Sequence, residues 1–244
     1  MVGTSWSIIN LNKEKMKNIS KLIIVFALAN IVFVACKKDN YIIGGKLENA
    51  TTTLSTYDYL KNNRYKMFDT LLLVIDKAGL KDVINAKGIT FYAPTDFSIN
   101  NYLQAKTIAA QKNNPFARYS IDTLIKYDLN TFKDSLNTYI IPQKIIASSL
   151  TESGVVFNTA KNGSQAVISY EQTFDTNLGY TSAVSTAPRI EYYTFIKGHL
   201  PPVVVASQIP DTVGVRVLCQ TSGLTTSTGQ LNVLSNSHVL FFKH

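Results

Sequence analysis

The three histidines, His199, His238 and His244, are the first candidates for a metal site or a proton shuttle. None stands in a His-Glu-x-x-His run or at another ligand spacing, so the sequence implies no zinc site and no other metal. His238 abuts the apolar run Val239-Leu240-Phe241-Phe242 and reads as a structural histidine satisfied within a core. The sequence has no phosphate-binding loop, no Gly-x-Gly-x-x-Gly turn and no Gly-x-Ser-x-Gly nucleophile elbow, so no catalytic residue and no cofactor is assigned. The carboxylates Asp69, Asp76, Asp82 and Asp96 are scattered. Folding could bring two of them to the spacing a glycosidase uses, which keeps an enzyme with an unrecognised carboxylate site as an alternative. Asp96, beside Thr95, is better read as a helix cap than as a base. The remaining candidates are aromatic. Strand alternation over 190–197 puts Ile190, Tyr192, Thr194 and Ile196 on one face and Glu191, Tyr193, Phe195 and Lys197 on the other. Tyr192, Tyr193 and Phe195 are therefore candidate binding residues, because exposed rings stack on sugars or anchor protein partners. The competing reading packs the same rings into the core.

The two cysteines, Cys36 and Cys219, divide by context and imply no disulfide framework. Cys219 alternates with Val213, Val215 and Val217, as a buried core thiol would. Cys36 ends a different pattern. Four lysines between positions 13 and 21 precede an apolar run over 22–35, which is the build of a secretory signal and too short for a comfortable membrane span. Met16 begins a better-shaped signal than Met1 and is an alternative start to the signal over 1–35. Phe33-Val34-Ala35-Cys36 resembles a bacterial lipobox. That resemblance implies cleavage before Cys36 and a diacylglycerol on its thiol, with palmitate-type chains, and two or more chains anchor stably where one does not. Lys37-Lys38-Asp39-Asn40 resembles the surface-export tags of lipoproteins in two-membraned bacteria. The expected location is the outer membrane, facing either the surface or the periplasm.

The chain has 244 residues, 45% hydrophobic and 16% charged, with 13 tyrosines and 12 phenylalanines. That composition builds a core and argues against disorder. The formal charge is +8, but loss of residues 1–35 removes four lysines and one glutamate and leaves 20 basic and 15 acidic side chains, or +5. No basic stripe with interleaved aromatics is present, so nucleic acid is not an expected partner.

Residues 36–52 carry the lipidated cysteine and a polar, Gly- and Thr-containing tether. From 53 to about 138 the periodicity is helical. Met67, Phe68, Leu71, Leu72, Ile75 and Leu80 recur at helix spacing, with Gly79 as a stop. The run 89–93 is an apolar strand ended by Pro94, followed by helices over 96–105, 116–127 and 131–138. Beyond it, strands are expected at 139–141, 154–158, 166–170, 189–196, 203–207, 213–219, 230–234 and 239–242, with a long polar connection over 171–188. Helices first and strands later indicate an α+β domain over 53–244.

Gly88-Ile-Thr-Phe-Tyr-Ala-Pro-Thr-Asp-Phe97 resembles the first conserved box of the fasciclin-like domain family. Leu136-Asn-Thr-Tyr-Ile-Ile-Pro-Gln-Lys144 is similar to that family's central tyrosine–histidine stretch, with Tyr139 at the histidine position. Gly229-Gln-Leu-Asn-Val-Leu-Ser-Asn-Ser-His-Val-Leu240 is similar to its second box, with Asn232 where a histidine is usual. The resemblance spans about 53–242. It implies a compact β-core of two short sheets wrapped by N-terminal helices, with the two boxes as neighbours. It further implies an extracellular role in adhesion or in binding a protein or glycan ligand. An accessory glycan-capture lipoprotein serving a polysaccharide uptake system is the second reading. Within this frame the strands at 89–93 and 239–242 are expected side by side.

Overall fold

The structure, a computed structural model, describes residues 50–242 apart from 179, 182, 184 and 185. The signal over 1–35, Cys36, most of the tether and His244 lie outside the described residues. The described residues all belong to one compact unit within Gly44–His244.

The helical part keeps its periodicity, although the helix expected over 116–127 begins only at Ile121 and the one expected over 131–138 covers Leu129–Leu136. Helix α1, Thr56–Lys61, is capped by Ser55, whose hydroxyl oxygen accepts from the Asp58 backbone N–H at 3.1 Å. Helix α2, Asp69–Ala78, buries Leu71, Leu72, Val74, Ile75 and Ala78. It ends at Gly79, which is left-handed at φ 67°, and the Leu80 N–H then closes on the Ile75 carbonyl at 3.0 Å. Helix α3 is Lys81–Ile84, α4 Asp96–Gln111, α5 Ile121–Tyr127 and α6 Leu129–Leu136. Helix α2 has no cap of its own. Asp96, at the start of α4, supplies it by accepting from the Thr70 and Leu71 N–H groups at 2.9 Å each. The capping role expected of Asp96 is thus exercised on a different helix from the one it begins.

Seven strands follow: β1 Thr90–Ala93, β2 Ile140–Ile141, β3 Val155–Asn158, β4 Gln165–Gln172, β5 Arg189–Ile196, β6 Gly214–Thr225 and β7 Gln230–Leu234. They form one sheet in the order β2-β1-β7-β6-β5-β4-β3 rather than two separate short sheets. The first half of β6 pairs with β5 and the second half with β7, with register shifts after Cys219 and Thr221. This one bent strand joins two halves that a sequence reading separates. The sheet bends far enough for the Ala160 N–H, just past β3, to reach the Ile140 carbonyl on β2 at 2.8 Å. One core cluster joins Leu71, Ile75, Phe132 and Leu136 from the helices to Phe91, Tyr92, Tyr193 and Leu231 from the strands. Strand β1 is buried along its whole length, antiparallel to β2 and parallel to β7. Gly229 is required at the entry to β7, because a Cβ there would lie 2.4 Å from the Ile89 carbonyl oxygen.

Three expected strands are corrected. Tyr139 belongs to a 3-10 turn, Asn137–Tyr139, so the strand there is Ile140–Ile141 alone. The segment 203–207 is not a strand; Ala206 opens a 3-10 turn tied to the Ser153 carbonyl at 2.8 Å. The segment 239–242 is a turn as well, with Phe241 and Phe242 left-handed at φ 62° and 55°. It is therefore not the neighbour of β1, and that place in the sheet belongs to β7. Left-handed backbone costs about 1–2 kcal/mol per non-glycine residue. Here it sends two consecutive rings in different directions. Phe241 meets Tyr102 and Phe132 edge-on, while Phe242 stacks on Tyr139, Tyr193 and Phe195.

Candidate binding site

Strand β5 sits between β4 and β6 but is not equally covered on its two sides. Its ladder with β4 extends from Arg189 to Phe195, whereas its ladder with β6 stops at Tyr192↔Leu218. From Cys219 onward β6 turns to β7. Residues 189–191 of β5 and 219–222 of β6 are consequently two arms of a fork with no ladder between them. A cavity of about 270 Å³ occupies the fork. Arg189, Ile190 and Glu191 line one arm and Leu218, Cys219, Gln220 and Ser222 the other. Leu178 lines it from the 3-10 turn Thr176–Leu178 in the connection after β4.

Glu191 is the chemically distinctive residue, a carboxyl only 2% exposed. Its Oε1 accepts from the Tyr92 hydroxyl at 2.7 Å and from the Asn232 side-chain amide at 2.8 Å. The Asn232 carbonyl oxygen accepts in turn from the Gly223 N–H at 2.7 Å. Strands β1, β5, β6 and β7 thus meet at one carboxyl. No ion pair among the described residues involves it. Loss of water pushes its pKa up to about 7, and the Tyr92 hydrogen bond opposes the rise. Burial lifts the Tyr92 phenol well above its usual value, with the neighbouring Glu191 charge adding to it. The Cys219 thiol rises for the same two reasons, which keeps it protonated and unreactive.

Tyr192, Tyr193 and Phe195, the binding residues expected from the sequence, are not among the residues that line this cavity. Tyr193 is fully buried, its hydroxyl donates to the Thr138 carbonyl, and it does not line the cavity. Phe195 is half-buried and stacked on Phe242 with centroids 4.7 Å apart. Tyr192, on the opposite face, is half-buried under the Arg216 guanidinium at 3.6 Å. Arg216 in turn pairs with Glu171 at 2.6 Å. Cys36 lies outside the described residues. Asp76 accepts from the Tyr57 hydroxyl, and Asp96 is occupied at α2. His238 is buried and its Nε2 lies 2.8 Å from the Tyr139 hydroxyl, which also accepts from the Phe241 N–H. Among the described residues no group of His, Cys, Asp and Glu is placed to hold a metal. Glu191 itself was visible in the alternation as a face-mate of Tyr193. The signal for its role was a single carboxylate on an aromatic face that Tyr193 proves to be interior.

No family model and no curated protein matches the chain. Among solved structures, the fold is similar to a FAS1 domain pair from the insect cell adhesion molecule fasciclin I. The TM-score is 0.43 and the identity 14%, over 75% of this chain and 47% of that one. The present chain thus spans about half the length of that domain pair.

Proposed function

We propose that the chain is a lipid-anchored protein of the bacterial cell envelope whose fasciclin-like domain serves in adhesion or binding outside the cytoplasm. One observation carries the domain reading. The two signature-like segments, about 140 residues apart, lie side by side as β1 and β7, in parallel register from Thr90↔Gln230 to Ala93↔Val233. The sequence resemblance requires that adjacency, and composition alone does not. The anchor rests on the Val34-Ala35-Cys36 boundary and the basic and apolar segments before it. Binding is favoured over hydrolysis at the fork. Its described lining offers one carboxylate, Glu191, where glycoside hydrolysis ordinarily uses two.

Metabolic labelling with a fatty acid tests the anchor. Wild-type protein should incorporate the label and Cys36→Ser should not; equal labelling of both would remove the lipoprotein reading. Pull-down from envelope extracts tests the binding role, and turnover of any glycan in the eluate would transfer the assignment to an enzyme.

A further inference from the structure

We propose that the fork between β5 and β6 binds a neutral, hydroxyl-rich ring of single-sugar size, such as the terminal unit of a glycan. The proposal deepens the binding role above and rests on it.

Size sets the first limit. At about 270 Å³ the cavity lies just below the roughly 300–1,000 Å³ usual for small-molecule pockets, which suits one ring and its substituents. Charge sets the second. Glu191 and Arg189 both line the cavity without pairing with each other. Arg189 donates to the Tyr170 carbonyl at 2.6 Å and lies 4.6 Å over the Tyr170 ring, so its charge stays in place. A cationic ligand would meet the fixed charge of Arg189, and an anionic one would meet Glu191 wherever that carboxyl is ionised. A neutral polyol meets neither penalty and can use both as hydrogen-bond partners.

The polar lining supplies donors and acceptors together, as hydroxyl groups require. Among the described residues, both hydrogen bonds to Glu191 fall on Oε1, leaving the acceptor capacity of Oε2. Gln220 spends its amide N–H groups on the Leu234 carbonyl and the Asn236 side chain, which leaves its carbonyl oxygen to accept. Ser222 and Arg189 add donors. Leu178, Ile190 and Leu218 offer the apolar surface that the C–H face of a sugar ring covers. Preorganisation is the last element. Glu191 is held by two donors from β1 and β7, so little ordering is left for the ligand to impose.

The test uses the full chain and saturation-transfer NMR with methyl α-glucoside, methyl α-mannoside and methyl β-galactoside. Alkylamines, free amino acids and short carboxylates of similar size form the comparison set. At least one hexoside should bind, and the comparison set should not. Leu178→Trp, a change at an exposed position, should fill the cavity and abolish the signal while the thermal melt is unchanged. Glu191→Gln should weaken binding about tenfold, the worth of one hydrogen bond to a charged group. Absence of hexoside binding, preference for a charged probe, or full hexoside binding by Leu178→Trp overturns the proposal. Envelope pull-down with the same proteins separates the two readings. Capture of envelope material by a domain that binds no hexoside removes the fork site and leaves the adhesion role standing.

Discussion

Glu191 binds its proton more tightly in the folded chain than in the unfolded one, because burial lifts its carboxyl from the usual 4.5 to about 7. The folded state therefore gains from protonation. The stability this group contributes is fully present below pH 4.5 and is lost as pH rises towards 7. Each unit of that difference is worth about 1.4 kcal/mol, so the change across the window amounts to a few kcal/mol. Glu191→Gln keeps the shape and removes the titration. Thermal melts from pH 4 to 8 should show a falling Tm for the wild type and a flatter profile for the variant; parallel profiles would contradict the burial argument. Asp96 is the second decisive residue. Asp96→Ala leaves the Thr70 and Leu71 N–H groups of α2 uncapped and should cost about 1–2 kcal/mol by chemical denaturation. No effect would mean that water caps α2 equally well.

Among the elements, the turn over 239–242 holds the end of the chain by ring stacking rather than by strand pairing. Phe242 is nearly buried and stacks on three aromatic rings, so Phe242→Ala should destabilise by about 3–5 kcal/mol. Ending the chain at His238 removes Leu240, Phe241 and Phe242 together. Against a total stability of about 5–15 kcal/mol, that chain should not fold. A shortened protein melting cooperatively near the wild-type temperature would sink this view of the turn. The junction of β1 and β7 depends on Gly229. Gly229→Ala sets a methyl group against the Ile89 carbonyl and should lower Tm by several degrees or prevent folding.

For the whole molecule, the sheet and helices share one core cluster, and β6 belongs to both halves of the sheet. The main cluster spans both halves, while a smaller one of Val167, Ile196, Ala206 and Ile209 lies on β4, β5 and the turn that follows β5. A protein comprising residues 44–244 should therefore unfold in one cooperative transition. Two resolved transitions in calorimetry would mean that β6 is a hinge between independent parts rather than a shared strand.

Much of this architecture was legible in local sequence, because local pattern reports local physics. The α2 periodicity and its Gly79 stop, the buried strand β1, the alternation of β5 and the core placement of Cys219 each follow from spacing within about a dozen residues. The fork was not legible. It exists because β6 abandons β5 for β7 at Cys219, and a change of partner leaves no mark on the periodicity of a single strand. The run 239–242 misled for a related reason: four apolar residues satisfy a buried strand and a buried turn alike, and only the left-handed backbone at Phe241 and Phe242 separates them. Asp96 and Glu191 complete the contrast. Sequence marks one as a cap and the other as a charge on an aromatic face. Which helix the first caps, and which strands the second ties together, are contacts between residues 25 to 99 positions apart, and folding alone brings these together.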